Sequence, residues 1–130
     1  MTTFSLNKIG QIHINVKDVD QATAFYKDVL GMTHLFQVPG MSFFDCGGIM
    51  LMLGLPTSAE FDHRSSLVYY QVDNIAAAHK TLVERGVIFT ETPNFVANMG
   101  KRDLWMGFFL DTEGNTLAIR SYVPKGTKPE

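Results

Sequence analysis

Side chains able to do chemistry are few and scattered along the chain. His13 carries an imidazole that serves as a general base if a substrate proton comes within hydrogen-bond reach. The competing role for His13 is a structural hydrogen bond to a neighbouring strand. Cys46, the single cysteine, lies between Asp45 and Gly47 with no positive neighbour in sequence to stabilise a thiolate. It reads as a buried, inert thiol rather than a nucleophile. Arg120 can meet a carboxylate or phosphate with two parallel N–H bonds, and Tyr69 and Trp105 can stack on a ring. Alternation does not fix which face Trp105 occupies, so a core or dimer contact stands beside the ligand-platform role. Asp62-His63-Arg64 reads as a solvated turn, and His79 and Lys80 as the surface of a helix. There is no Ser, His and Asp constellation, no phosphate-cradling glycine loop and no zinc spacing.

A stretch that occurs twice must position these groups. In the first copy Ile12, Ile14 and Val16 alternate with Gln11, His13 and Asn15, which predicts a strand with one apolar and one polar face. Val19, Ala22, Phe25, Tyr26, Val29 and Leu30 then recur at helical spacing, with Asp18 or Asp20 as cap and Gly31 as stop. The second copy has Val68, Tyr70 and Val72 on one face and Asn74 as cap. Ile75, Ala78, Leu82 and Val83 form its helical stripe, and Gly86 is its stop. Two halves share one plan.

Between the copies the spacing predicts strands within 33–38, over 41–46 and over 49–53, separated by Pro39-Gly40 and Gly47-Gly48. Residues 54–65 read as a polar linker. In the second half a strand begins within 87–90, residues 93–102 read as a loop or irregular strand, and residues 104–110 are strongly apolar. Asp111 to Asn115 has turn chemistry and closes a hairpin onto residues 116–122. The tail from 124 to 130 is expected to fray.

The run Phe25-Tyr26-Lys27-Asp28-Val29-Leu30-Gly31-Met32 after Val16-Lys17-Asp18-Val19, with Asp111-Thr112-Glu113-Gly114-Asn115 before a last apolar strand, resembles the vicinal oxygen chelate superfamily. This is the group of glyoxalase I, bleomycin resistance proteins and extradiol dioxygenases. The resemblance implies an α+β fold in which two tandem βαβββ modules form a curved mixed sheet around a cavity, with the helices outside. It would make residues 1–130 one domain, with module one at about 9–55 and module two at about 66–123. On that architecture strand parity turns Gln11, His13, Asn15, Met50, Met52, Leu67, Tyr69, Gln71, Thr116, Ala118 and Arg120 toward the cavity. Met50 and Met52 would give an adaptable floor, or simply fill a core.

Metal enzymes of this group take one ligand from each of four strands, commonly His, Gln or Glu. The matching positions here are Gln11, Met52 (or Met50 if the strand is shifted by two), Leu67 and Ala118. One donor out of four remains, so no metal ligand and no cofactor are assigned. A displaced site built from His13, Tyr69 and a residue of a second subunit is the alternative.

Composition bounds the rest. The 130 residues are 45% hydrophobic and 18% charged, ordinary for one globular domain, and a formal charge of -2 offers no basic surplus for nucleic acid. No apolar run suits a membrane span, and residues 1–7 lack a basic start followed by an apolar core, so a cytoplasmic protein is expected. The expected partners are a small organic molecule, aromatic or amphipathic, and a second copy of the chain in a homodimer. The candidate ligand contacts are Gln11, His13, Met50, Met52, Leu67, Tyr69, Trp105, Ala118 and Arg120. The enzyme alternative is a lyase, isomerase or dioxygenase that uses a displaced metal or His13 and Tyr69 as acid and base. A third possibility is a scaffold whose cavity is packed shut.

Overall fold

In a computed structural model of the protein, residues 4–130 are described. The part of the leader-segment expectation that falls on residues 1–3 lies outside them. The chain divides into two compact units, Met1–Ser65 and Ser66–Glu130.

In the first unit, β1 (Gln11–Asn15) leads into α1 (Val19–Ala24), which runs on as a π-helical turn over Phe25–Val29. Three strands follow: β2 (Thr33–Val38), β3 (Met41–Cys46) and β4 (Ile49–Gly54). The sheet order is β1-β4-β3-β2, with β1 parallel to β4 and the other pairs antiparallel. Local chemistry explains the punctuation. The Asp18 carboxylate accepts the Gln21 N–H at 3.0 Å and starts the helix. Gly31, at φ 74°, ends it in the left-handed region that a side chain would resist.

Alternation along β1 buries Ile14 and leaves Gln11 and His13 exposed; Leu51 and Leu53 are buried on β4. Helix α1 packs over β3 and β4, and the core beneath it holds Ile14, Val16, Ala22, Tyr26, Phe44, Leu51 and Leu53. Each large side chain sealed there is worth about 1.5–3 kcal/mol against exposure. The π-helical turn departs from the expected uninterrupted helix. Leu30 N–H bonds to the Phe25 carbonyl at 3.0 Å, five residues back, so the aromatic pair Phe25-Tyr26 begins a wider turn. Tyr26 ends fully buried, its ring 6.1 Å from that of Phe44.

The second unit repeats the order. Strand β5 (Val68–Gln71) precedes α2 (Ile75–Glu84), then β6 (Phe89–Asn98), β7 (Arg102–Leu110) and β8 (Thr116–Pro124). Its sheet order is β5-β8-β7-β6, with β5 parallel to β8. Asn74 caps α2 by accepting the Ala77 N–H at 3.0 Å, and Ile75, Leu82, Phe109, Leu117 and Ile119 form the core. Both sheets are open.

Two expectations resolve here. Residues 93–98 are an irregular strand rather than a loop: β6 is an edge strand with three register shifts against β7, and an edge tolerates the missing N–H of Pro93. The tail, expected to fray, is tied down. Gly126 N–H donates to the buried Asp103 carboxylate at 2.9 Å, and the Asn74 amide donates to the Glu130 carbonyl at 3.1 Å. Among the described residues no helix is long and apolar enough to cross a membrane.

Candidate functional site

Each sheet has one face covered by its helix and one turned away from it. In the first unit the pairing sets Gln11 beside Met50 and His13 beside Met52. The Gln11 amide lies 3.9 Å from the Met52 sulfur, and His13 Nε2 lies 3.4 Å from the Gly54 carbonyl. Phe43 pairs with Met52, and Phe36 stacks on Phe43 with ring centroids 4.6 Å apart. The helix-free face is therefore soft and apolar around one imidazole and one carboxamide, with the exposed Asp45 carboxylate abreast of Met50 at one end. Asn15, expected on the same face, is committed elsewhere. Its amide donates to the carbonyls of Phe61 (2.6 Å) and His63 (3.0 Å), and its N–H donates to the Ser65 hydroxyl at 3.1 Å. Asn15 thus pins the linker, which carries a short 3-10 turn at Ala59–Phe61.

In the second unit Tyr69, Ala118 and Phe108 lie abreast on neighbouring strands, and the rings of Tyr69 and Phe108 meet edge to face at 6.0 Å. Ala118 is 0% exposed whereas Tyr69 is 43% exposed. The methyl group is thus sealed, while the Tyr69 ring stays open to solvent. One pleat along, Gln71, Arg120 and Met106 lie abreast, and beyond them Tyr122 pairs with Leu104. Arg120 Nη2 donates to the Tyr122 hydroxyl at 2.7 Å. Leu67 precedes β5 and is exposed, and Thr116 pairs with Leu110.

For Trp105, whose face the sequence left open, the register decides. The β7–β8 register pairs it with Ser121, on the same face as Phe109 and Ile119. Phe109 packs against Phe89, which meets His79 of α2, so that face belongs to the helix side. A single step of strand parity separates Trp105 from the surface that carries Tyr69 and Arg120.

Sequence reasoning missed Phe36, Phe43, Phe108, Tyr122 and Arg102. Arg102 holds its guanidinium 4.1 Å from the centre of the Tyr122 ring. The signal was available for Phe108: counting back through the Asp111 turn sets it opposite Ala118.

Burial pushes the Cys46 thiol above its ordinary value, and the neighbouring Asp45 carboxylate adds to the rise. That opposes thiolate formation and nucleophilic use. A separate cleft of about 420 Å³ lies between the start of α2 and the tail, lined by Asp73, Asn74, Tyr122, Lys128 and Glu130 among others. Of the predicted contacts it contains none.

The positions that the resemblance assigns to metal ligands bear a carboxamide (Gln11), thioethers (Met52 or Met50), an isobutyl group (Leu67) and a methyl (Ala118). This set does not fit a hard divalent ion, which needs several oxygen or imidazole donors. Among the described residues no three His, Cys, Asp or Glu side chains are grouped to replace it.

Two βαβββ units in tandem, each with a helix on one sheet face and a free face opposite, define the class. The chain belongs to the Glyoxalase/Bleomycin resistance protein/Dioxygenase superfamily, whose model matches residues 8–119. Among solved structures it is similar to a superfamily member from Sphaerobacter thermophilus, at 25% identity and TM-score 0.73, covering 89% of this chain and 98% of that one. An integron cassette protein from the mobile metagenome of V. cholerae aligns at 21% identity and TM-score 0.77, over 94% of this chain and 100% of that one. A lactoylglutathione lyase from Agrobacterium tumefaciens aligns at 19% identity and TM-score 0.72, over 90% and 95%. At the identities of the last two the likeness is one of fold alone. The curated proteins contain no match.

Proposed function

We propose that this superfamily member binds a small aromatic or amphipathic organic molecule on the helix-free faces of its sheets, without a divalent metal. One observation carries the reading: the ligand positions of the metal enzymes hold Gln11, Met52, Leu67 and Ala118, a set with one hard donor. Support comes from the surface around them, where Phe36, Phe43, Met50 and Met52 in one unit and Tyr69 and Phe108 in the other offer adaptable apolar contact. Elemental analysis of protein purified without chelator tests it. Substoichiometric metal is the expected result, and one tightly bound divalent ion per chain would overturn it.

The protein works as a homodimer in the cytoplasm on this proposal, with no nucleic-acid partner. Its net charge of -2 supports the last point, and exposed apolar side chains such as Phe36, Phe95 and Val96 support pairing. Sedimentation at micromolar concentration distinguishes a dimer from a 14.5 kDa monomer. A catalytic version of the reading is favoured by the exposure of His13 and Tyr69, which leaves an imidazole and a phenol open to a substrate. Turnover that survived both His13→Ala and Tyr69→Phe would exclude it.

A further inference from the structure

The helix-free face of the second sheet carries a feature that an apolar binding surface does not require. Two guanidinium groups approach the Tyr122 ring, Arg102 at 4.1 Å and Arg120 at 5.1 Å from its centre. Arg120 Nη2 donates to the Tyr122 hydroxyl at 2.7 Å, while Arg120 Nε is buried without a hydrogen-bond partner. Neither arginine has a carboxylate counter-charge among the described residues. Two like charges held against one ring with no counter-ion repel each other, and the half-buried Arg120 keeps its Nε unpaired while Arg102 stays open to solvent. The chain as a whole is acidic, with a formal charge of -2, so this concentration is local.

Position sharpens the point. Arg120 lies two residues from Ala118 along β8, so its side chain emerges on the same face, about 7 Å from the edge formed by Tyr69 and Phe108. Arg102, Leu104, Met106 and Phe108 line the same face of β7. The two guanidiniums gather at Tyr122, two pleats along β8 from the row of Tyr69, Ala118 and Phe108, with Arg120 rooted between them and the Tyr122 hydroxyl fixing the orientation of its fork.

We propose that this cluster is an anion subsite, and that the ligand is an organic anion whose ring rests on Tyr69 and Phe108 and whose carboxylate or phosphate is read by Arg120 with Arg102. The inference rests on the binding function proposed above and names its ligand class. A guanidinium fork matches both oxyanions, and the anion would neutralise the repulsion between the two arginines.

The test uses two probes with one ring system, 2-naphthoate and the neutral 2-naphthalenemethanol, titrated into the intact protein and followed by amide NMR. Naphthoate is expected to bind at least about tenfold more tightly, with shifts at Tyr69, Arg102, Arg120 and Tyr122, and to weaken as salt is added. Arg120→Met, which keeps the apolar stem, is expected to erase the preference for naphthoate over the alcohol. Arg120→Lys, which keeps charge without the fork, is expected to fall between them. The wild-type comparison needs no variant and so survives a folding defect. Equal affinity for the two probes would overturn the anion subsite and leave the binding function standing. Failure of both probes to bind up to their solubility would overturn the binding function and the subsite with it. Phosphate and benzoate, titrated separately, distinguish which oxyanion the cluster takes.

Discussion

Asp111 opens the turn that joins β7 to β8, and its replacement by alanine should be among the most damaging single changes outside the aromatic core. The residue is 7% exposed. One carboxylate oxygen accepts the N–H groups of Glu113 at 2.9 Å and Asn115 at 2.8 Å, and the other accepts the Asn115 amide at 3.0 Å. Alanine removes all of these while leaving the backbone bonds of the turn, Asp111 N–H to the Asn115 carbonyl and Gly114 N–H to the Asp111 carbonyl, in place. Hydrogen bonds to a charged acceptor contribute about 1.5–3 kcal/mol each in isolation. They share one carboxylate and part of the turn reaches water, so the sum is not additive and a net loss of about 3 kcal/mol is expected. For a chain of this length that lowers the melting temperature by roughly 10 °C.

Urea unfolding should show the loss as a lower midpoint at unchanged slope. Asp111→Asn keeps one acceptor oxygen but turns an NH2 toward the Asn115 amide, and should cost about 1–2 kcal/mol. Thr112→Ala, at an exposed position of the same turn, should stay within about 0.5 kcal/mol of the wild type. If Asp111→Ala also stays within that range, the carboxylate does not hold the hairpin and the structural role assigned to it is wrong. Probe binding at Tyr69 should be unchanged in Asp111→Asn, because the turn touches none of the candidate contacts.

Three further outcomes follow from particular contacts. Asn74→Ala removes the cap of α2 and the tether to the Glu130 carbonyl, and should cost about 1 kcal/mol in denaturant unfolding, with faster amide exchange in the tail. Gly107→Ala places a Cβ 3.2 Å from the backbone nitrogen and Cγ of Pro93 and 3.3 Å from the Phe89 ring; a loss of about 1–3 kcal/mol is expected, and neutrality would mean that β6 yields freely. Because burial raises the Cys46 pKa, its thiolate forms at higher pH than that of a free thiol. Iodoacetamide modification between about pH 7 and pH 10 should therefore lag glutathione, and a midpoint at or below the ordinary thiol value would contradict the burial argument.

Much of the architecture was legible because each element is punctuated by residues with one conformational use. Asp18 and Asn74 cap the helices as expected, and Gly31 and Gly86 stop them at positive φ. Strand parity placed His13, Met52, Tyr69 and Arg120 on helix-free faces, because the buried partners Ile14, Leu51, Leu53 and Ile119 fix the register. The π-helical turn at Phe25–Val29 was not legible, since apolar spacing is the same whether a turn closes on the fourth or the fifth residue back. The face of Trp105 was left open for a related reason: in a run as apolar as 104–109, hydrophobicity carries no alternation, and only pairing across the hairpin assigns a face. The diversion of Asn15 to the carbonyls of Phe61 and His63 depends on how the linker folds back, which no local pattern encodes.

The residues that reveal the family and those that would bind a ligand are separate sets, and the separation has a physical origin. Asp111, Gly114 and Asn115 close a turn, Gly31 ends a helix, and Tyr26 fills a core; each answers to backbone geometry or packing, where substitution costs stability whatever the protein does. Gln11, Met52, Tyr69 and Arg120 stand on faces whose strands are held by main-chain pairing and by the buried residues behind them. A donor can be exchanged for a thioether or an isobutyl group there without moving the sheet, so chemistry is free to change while the architecture persists. For that reason the fold is read from the turns and caps, whereas the activity has to be read from the side chains between them. In this chain those side chains are thioethers and aromatic rings among a few polar groups such as Gln11 and His13, with one arginine pair gathered around Tyr122.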